Sequence, residues 1–228
     1  MKYLFSITLI FLLLSCNNDK VILLPEISHS EITKVLDVSP AYIFYDETQK
    51  DSVELNRKNL ISTTNWLVNV DKRLTLGQAI PHIVYLQEKK RNAEIHKNEE
   101  ARNYFTCNDT SIKNLGFIDF TDIVYHLEES QKKHLNTKNS EQEILVKIYS
   151  MDSVKLSFSL VDTATENNSS FKNLLKNIEG DMIPNGKINI TLTFNKNLTF
   201  QDYITYKSEL RKLDIDKVQI NINEFIFN

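Results

Sequence analysis

Three short runs in the second half of the chain alternate apolar and polar residues with a period of two. Val154, Leu156, Phe158 and Leu160 alternate with Lys155, Ser157 and Ser159. Ile188, Ile190, Leu192 and Phe194 alternate with Asn189, Thr191 and Thr193. Val218, Ile220 and Ile222 alternate with Gln219, Asn221 and Asn223. That period belongs to strands with one buried and one polar face. An apolar sheet face has to be covered, and helices are the available cover. Candidate helices lie between the runs at Ser170–Glu179, ended by Gly180, and at Phe200–Leu213. The order strand, strand, helix, strand, helix, strand predicts helices on one face of a mixed sheet. Residues 144–228 are expected to form a domain that folds alone.

The first half reads in the same way. Ala41–Asp46 is a predicted strand, and Asp51–Asn56 can pair with it through the polar turn Glu47–Lys50. Trp66–Val70 is a further strand, followed by a helix from Leu76 to about His96, and Tyr104–Cys107 is a short strand. Phe120, Ile123, Val124 and Leu127 are spaced i, i+3, i+4, i+7, which predicts a second helix. The segment Val21–Pro25 is apolar but ends in proline, which suits an edge strand. Between the halves lies EESQKKHLNTKNSEQE, almost wholly polar, expected as a linker. The fold class is therefore α/β (α+β), built from two small two-layer sandwiches. The expected division is a signal peptide at 1–15, a tether and lead segment at 16–38, domains at 39–127 and 144–228, and the linker at 128–143.

The halves carry a similar unit. VNVDKRLTLGQAI from Val68 aligns with LTFNKNLTFQDYI from Leu192, matching Lys72 with Lys196, Leu74 with Leu198, Thr75 with Thr199 and Ile80 with Ile204. Thr75 and Thr199 can cap the helices that follow, with Gln78 and Asp202 as their capping-box partners. Duplication explains the match, and so does convergence on good caps.

The segments NWLVNVDKRLTLGQAIPHIVYLQEKK, NYFTCND and GFIDFTDIVYHLEE together resemble the periplasmic domain of the ExbD/TolR group. INITLTFNKNLTFQDYITYKSELRKLDIDKVQINI resembles the first strand-helix-strand of the same pattern. The resemblance implies strand, turn, capped helix, strand ending in Asp, and second helix. It also implies a periplasmic docking domain. Members of that group carry a transmembrane helix with a proton-handling Asp; no acid lies between Met1 and Cys16 here, so a motor role does not carry over.

The N-terminus bears on location. Lys2 is followed by Tyr3–Leu14, apolar apart from Ser6 and Thr8, then Ser15, Cys16 and the polar Asn17-Asn18-Asp19-Lys20. Twelve residues are too few to cross a hydrocarbon core, which takes about 20, but they suit a signal peptide. Leu13-Leu14-Ser15-Cys16 resembles the bacterial lipobox, in which the cysteine is lipidated and becomes the first residue of the mature chain. Alternatives are an ordinary cleaved signal and a short uncleaved anchor. Asn17 rather than Asp follows the cysteine, which by resemblance to bacterial sorting favours the outer membrane over the inner. Cys107 is then the remaining thiol, so an intramolecular disulfide has no partner. Net charge is −3, and loss of residues 1–15 removes Lys2 alone, leaving −4. No basic face is implied, which argues against nucleic acid as a partner.

Few residues suggest chemistry. Cys107, with Asp109 nearby and His126 downstream, is a candidate nucleophile, although a lone cysteine in an apolar strand is commonly core filler. Asp119, Asp122 and His126 could share a helix face and hold a divalent ion, or form a solvated acidic face. His29, His82, His96 and His134 lack ligand spacing, Lys89-Lys90-Arg91 reads as an exposed helix face, and no phosphate loop or nucleophile elbow is present. No cofactor is implied. The sequence points to a lipid-anchored, non-enzymatic envelope module that docks a protein or a cell-wall component. The alternative is a lipid-anchored hydrolase or redox protein using Cys107.

Overall fold

The computed structural model describes residues 20–93, 98–127, 142–159, 166–171, 173, 188–213 and 218–228. Cys16 and the rest of the expected signal and lipobox lie outside them, as do 128–141 of the expected linker. The fold is α+β, with two mixed sheets of six strands each and two long helices among the described residues.

The first sheet contains β1 (Glu26–Ile27), β2 (Val38–Tyr45), β3 (Val53–Asn56), β4 (Asn65–Val70), β5 (Asn103–Asp109) and β6 (Asn114–Asp119). Strands β2, β4 and β5 run parallel in the centre, and β3 and β6 pair antiparallel at the sides. The edge strand expected at Val21–Pro25 is not formed there: those residues are extended but unpaired as a strand, and the two that follow Pro25 make β1, which pairs parallel with the end of β5. Helix α1 (Leu76–Arg91) buries Leu76, Ala79, Ile80, Ile83, Leu86 and Gln87 as one stripe. It ends five residues before the expected His96. Lys89, Lys90 and Arg91 fill its last turn, where cations favour the negative end of the helix dipole, and Asn92 caps it.

The second sheet contains β7 (Val124–His126), β8 (Gln142–Ser150), β9 (Ser153–Ser159), β10 (Glu166–Ser169), β11 (Ile188–Asn195) and β12 (Val218–Phe227), in the order β10-β9-β8-β11-β12-β7. Helix α2 (Phe200–Leu210) precedes β12. The helix expected at Ser170–Glu179 falls mostly outside the described residues.

Two expectations are corrected. Residues 120–127 form no helix. Asp119 accepts from the Thr121 amide (2.9 Å) and hydroxyl (2.7 Å), which closes a turn. The Phe120 and Ile123 carbonyls accept from the Gln87 side-chain amide, at 3.3 and 3.0 Å. The Phe120 carbonyl, which a helix would have used four residues on, is thus engaged elsewhere, and Val124–His126 pair with β12 instead. The second helix implied by the family resemblance is therefore absent from this segment. In β12, Val218 is buried but Ile222 is 51% exposed. An irregularity takes the pairing from Ile190–Ile220 to Leu192–Glu224, so three residues of β12 oppose one of β11 and Ile222 is carried outward.

The halves share a core. Phe105 of β5 stacks on Phe120 (centroids 3.8 Å) and meets Phe200 (5.2 Å) and Tyr203 (6.3 Å) of α2 edge-on. Phe194 of β11 meets Tyr203 (5.1 Å) and Tyr206 (6.2 Å) on the same helix. Helix α2 thus touches both sheets, and Phe200, Tyr203, Ile204 and Tyr206 are wholly buried.

The two capped turns also meet. Both capping boxes are formed, Thr75 with Gln78 and Thr199 with Asp202. Thr75 bridges Thr199. The Leu76 amide donates to the Leu198 carbonyl (2.8 Å) and the Phe200 amide to the Leu74 carbonyl (2.7 Å). Gly77 donates to Lys196 (2.8 Å) and Gln201 to Lys72 (3.2 Å). The amides of the first helical turn have no partner within their own helix; here each helix start is satisfied by the other's turn.

Candidate functional site

At the end of the body where the described chain begins, Lys20 donates to Asp46 (2.6 Å), just beyond the end of β2, and pairs with Glu54 of β3. Lys20 and Thr48 hold the Asp46 carboxyl well below its usual range. The chain then crosses the end of β4. The Leu23 amide donates to the buried Asp71 carboxylate (3.2 Å), and the Lys72 amide donates to the Leu23 carbonyl (2.7 Å). Arg73 donates to Asp71 through Nε (2.9 Å) and Nη2 (2.8 Å). Further on, Ser30 is held by Asp109 and by both backbone groups of Phe117. Gly116 permits that approach: a β-carbon there would lie 2.6 Å from the Ser30 β-carbon.

The opposite end, where β4 and β5 begin and α1 stops, carries a cavity of about 210 Å³ lined by Ser62, Gln87, Lys90, Asn98, Asn103 and Asp122 among others. Lys90, only 8% exposed, donates to the Thr64 carbonyl (3.2 Å), the Arg102 carbonyl (2.9 Å) and Asn103 Oδ1 (3.0 Å), and lies over the Trp66 ring at 5.2 Å. Burial lowers its pKa to about 8. Its three protons are committed to the protein, so it ties the end of α1 to the starts of β4 and β5. The cavity can take water or a small polar group, but Lys90 offers such a group no spare donor.

The sequence candidates are not brought together as a catalytic set. Cys107 is fully buried on β5, and burial pushes its thiol well above the usual range, away from the thiolate a nucleophile needs. Asp109 accepts from the amides of Ser30 (2.7 Å) and Ser111 (2.9 Å) and from the Ser111 hydroxyl (2.6 Å). The Ser111 hydroxyl foremost holds its carboxyl below the ordinary range. His126 stacks on Phe225 (4.7 Å) and hydrogen-bonds Asn223 (2.8 Å). Asp122 is paired with Arg102 (2.9 Å), which also pairs with Asp119. Among the described residues no group of three or more His, Cys, Asp or Glu side chains could hold a metal ion.

Besides Asp71, two sites of buried charge escaped the sequence reading. Lys90 falls on the apolar stripe of α1 (76, 79, 80, 83, 87, 90), which was the available signal. The other is a chain of polar groups inside the shared core. Tyr125 and Tyr203 hydroxyls are 3.0 Å apart, Tyr203 donates to Glu224 Oε2 (2.8 Å), and Lys207 pairs with Glu224 Oε1. Burial raises both tyrosine pKa values well above the usual. Glu224 continues the even-numbered register of Val218, Ile220 and Ile222, so its spacing placed it on the expected buried face and only its charge spoke against that.

No family model, curated protein or solved structure matches the chain.

Proposed function

We propose that the chain is a lipid-anchored protein of the bacterial envelope that works as a non-enzymatic docking or binding module. The observation that carries this reading is the tetrad Leu13-Leu14-Ser15-Cys16, with the break to polar residues directly after the cysteine. Thioether-linked diacylglycerol and an acylated amine supply several chains, enough for stable anchoring where one is marginal. The burial of Cys107 counts against the alternative of a thiol hydrolase or redox protein, and the wide mixed sheets suit recognition of another macromolecule. The partner is an envelope protein or a cell-wall component, the outer membrane is favoured, and a relation to ExbD/TolR-type docking domains fits the paired strand-turn-helix units. The test is fatty-acid labelling in cells. Label should enter the wild type and not Cys16→Ser, and the variant should leave the membrane fraction. Equal labelling of both would refute the anchor. Cross-linking and affinity purification from native envelopes should then recover a defined partner.

A further inference from the structure

We propose that the end of the body from which the tether leaves is itself a membrane-contact surface, with Val21 and Leu23 entering the lipid interface beside the acyl chains. This rests on the lipid-anchor reading of Cys16. Lys20 is fixed to Asp46 and Glu54. It lies four positions after Cys16, and a fully extended chain spans at most about 3.6 Å per residue. An acylated Cys16 therefore keeps this end within about 14 Å of the lipid, whatever path the tether takes.

The side chains at this end are sorted as a contact surface requires. Val21 is 73% exposed and Leu23 41%, whereas Ile22 and Leu24 are half-buried and Pro25 is buried. Over Val21 to Leu24 the side chains point alternately outward and inward, the alternation of an extended segment, until Pro25 turns in. Leu23 is held through both its amide and its carbonyl, so the pair is displayed from a fixed backbone and cannot fold back onto the body. The surrounding cations are matched: Lys20 with Asp46 and Glu54, Lys72 with Glu26, Arg73 with Asp71. Arg73 also lies over the Tyr45 ring at 4.7 Å. Paired charges give no net pull toward anionic headgroups. The attraction is apolar, and it should work on neutral lipid and survive salt.

The test supplies the anchor chemically. The chain from Cys16 to Asn228 is coupled through the Cys16 thiol to a maleimide lipid in phosphatidylcholine vesicles containing brominated acyl chains. Cys107 stays unmodified because it is buried. Val21→Trp, Leu23→Trp and, at the opposite end, the exposed Ile61→Trp are compared against the background of buried Trp66. Emission from the first two should shift to the blue and be mostly quenched by bromine, equally at low and high salt, while that from Ile61→Trp stays unquenched. No quenching at 21 and 23, or equal quenching at 61, overturns the proposal. So does quenching that salt abolishes. A blue shift without bromine quenching would mean that a second copy covers the patch, which overturns it as well. Because coupling does not depend on cellular lipidation, failure here is distinct from failure of Cys16 to take up fatty acid in cells.

Discussion

Replacing Glu224 by Gln tests whether the two halves are one cooperative body. Its side chain is 0% exposed, that of its partner Lys207 is 9% exposed, and its second oxygen accepts from Tyr203. The substitution keeps the shape and removes the charge, so an ammonium group is left in the core opposite a neutral amide. Breaking a buried pair from one side costs about 3–5 kcal/mol, because the surviving charge stays desolvated. A domain of ordinary stability has about 5–15 kcal/mol in all. Lys207→Met should cost a comparable amount, since it strands the carboxylate. Replacing both, Lys207→Met with Glu224→Met, should return to within about 1 kcal/mol of the wild type, because no charge is then buried and Tyr203 keeps Tyr125 as a partner. The assay is guanidinium unfolding followed by circular dichroism and by the fluorescence of Trp66, which sits in the first sheet although the pair sits behind the second. Coincident shifts of both probes mean that the halves unfold together. Single variants that cost less than about 1 kcal/mol, the value of an exposed pair, would refute the reasoning. So would a double variant no better than the sum of its parts.

Lys90→Met should alter the pH dependence of stability. The folded Lys90 titrates near 8 and an unfolded lysine near 10.4, so between those values the unfolded chain holds a proton that the fold has released. The stability of the wild type relative to Lys90→Met should therefore rise with pH from about 8 to about 10, and a flat difference in melts across that range would count against the burial. Cys107 should react with a maleimide only as fast as the protein unfolds, whereas rapid labelling of the native chain would revive the nucleophile reading. Gly116→Ala should cost about 1–3 kcal/mol, since its new β-carbon collides with Ser30; limited proteolysis should then cut the lead segment first.

The strands of Val154, Ile188 and Val218 were legible because their side chains obey a period that sheet geometry imposes, whereas β6 and β10 were not anticipated. Both capping boxes were legible because capping is a local contract between Thr75 and Gln78 and between Thr199 and Asp202. Strand β7 was not. Phe120, Ile123, Val124 and Leu127 have helical spacing, but Asp119 closes a turn and Gln87, a distant residue, takes the carbonyls. Ile222 was misplaced because an irregularity in pairing leaves no mark in composition. Lys90 and Glu224 were missed for a common reason. A charged residue read alone belongs in water, and only the fold places beside it the carbonyls or the opposite charge that make burial tolerable.

The meeting of the two turns bears hardest on how the chain is organised. Convergence on good caps would explain why VDKRLTLGQ resembles FNKNLTFQD, since each turn serves its own helix. The turns also exchange hydrogen bonds in matched pairs, as the antiparallel bridge between Thr75 and Thr199 imposes: Leu76 to Leu198 answers Phe200 to Leu74, and Gly77 to Lys196 answers Gln201 to Lys72. Every donor and acceptor in one bond occupies the aligned position in its counterpart, so the two turns meet about a local two-fold, which duplication and convergence on good caps both allow. The pattern of the second half suggests that residues 144–228 fold alone, but the structure argues for the opposite outcome. Excision would leave the Phe200 and Gln201 amides without their acceptors, at about 1 kcal/mol each. It would uncover Phe200 and Tyr203 where they meet Phe105, at roughly 1.5–3 kcal/mol for a large side chain. It would also strip β7 from β12. The sum approaches the whole stability of a small domain. The fragment should therefore show no cooperative melt by itself and regain one when residues 20–127 are co-expressed. A cooperative melt of the fragment alone would show that the exchanged bonds join two independent domains.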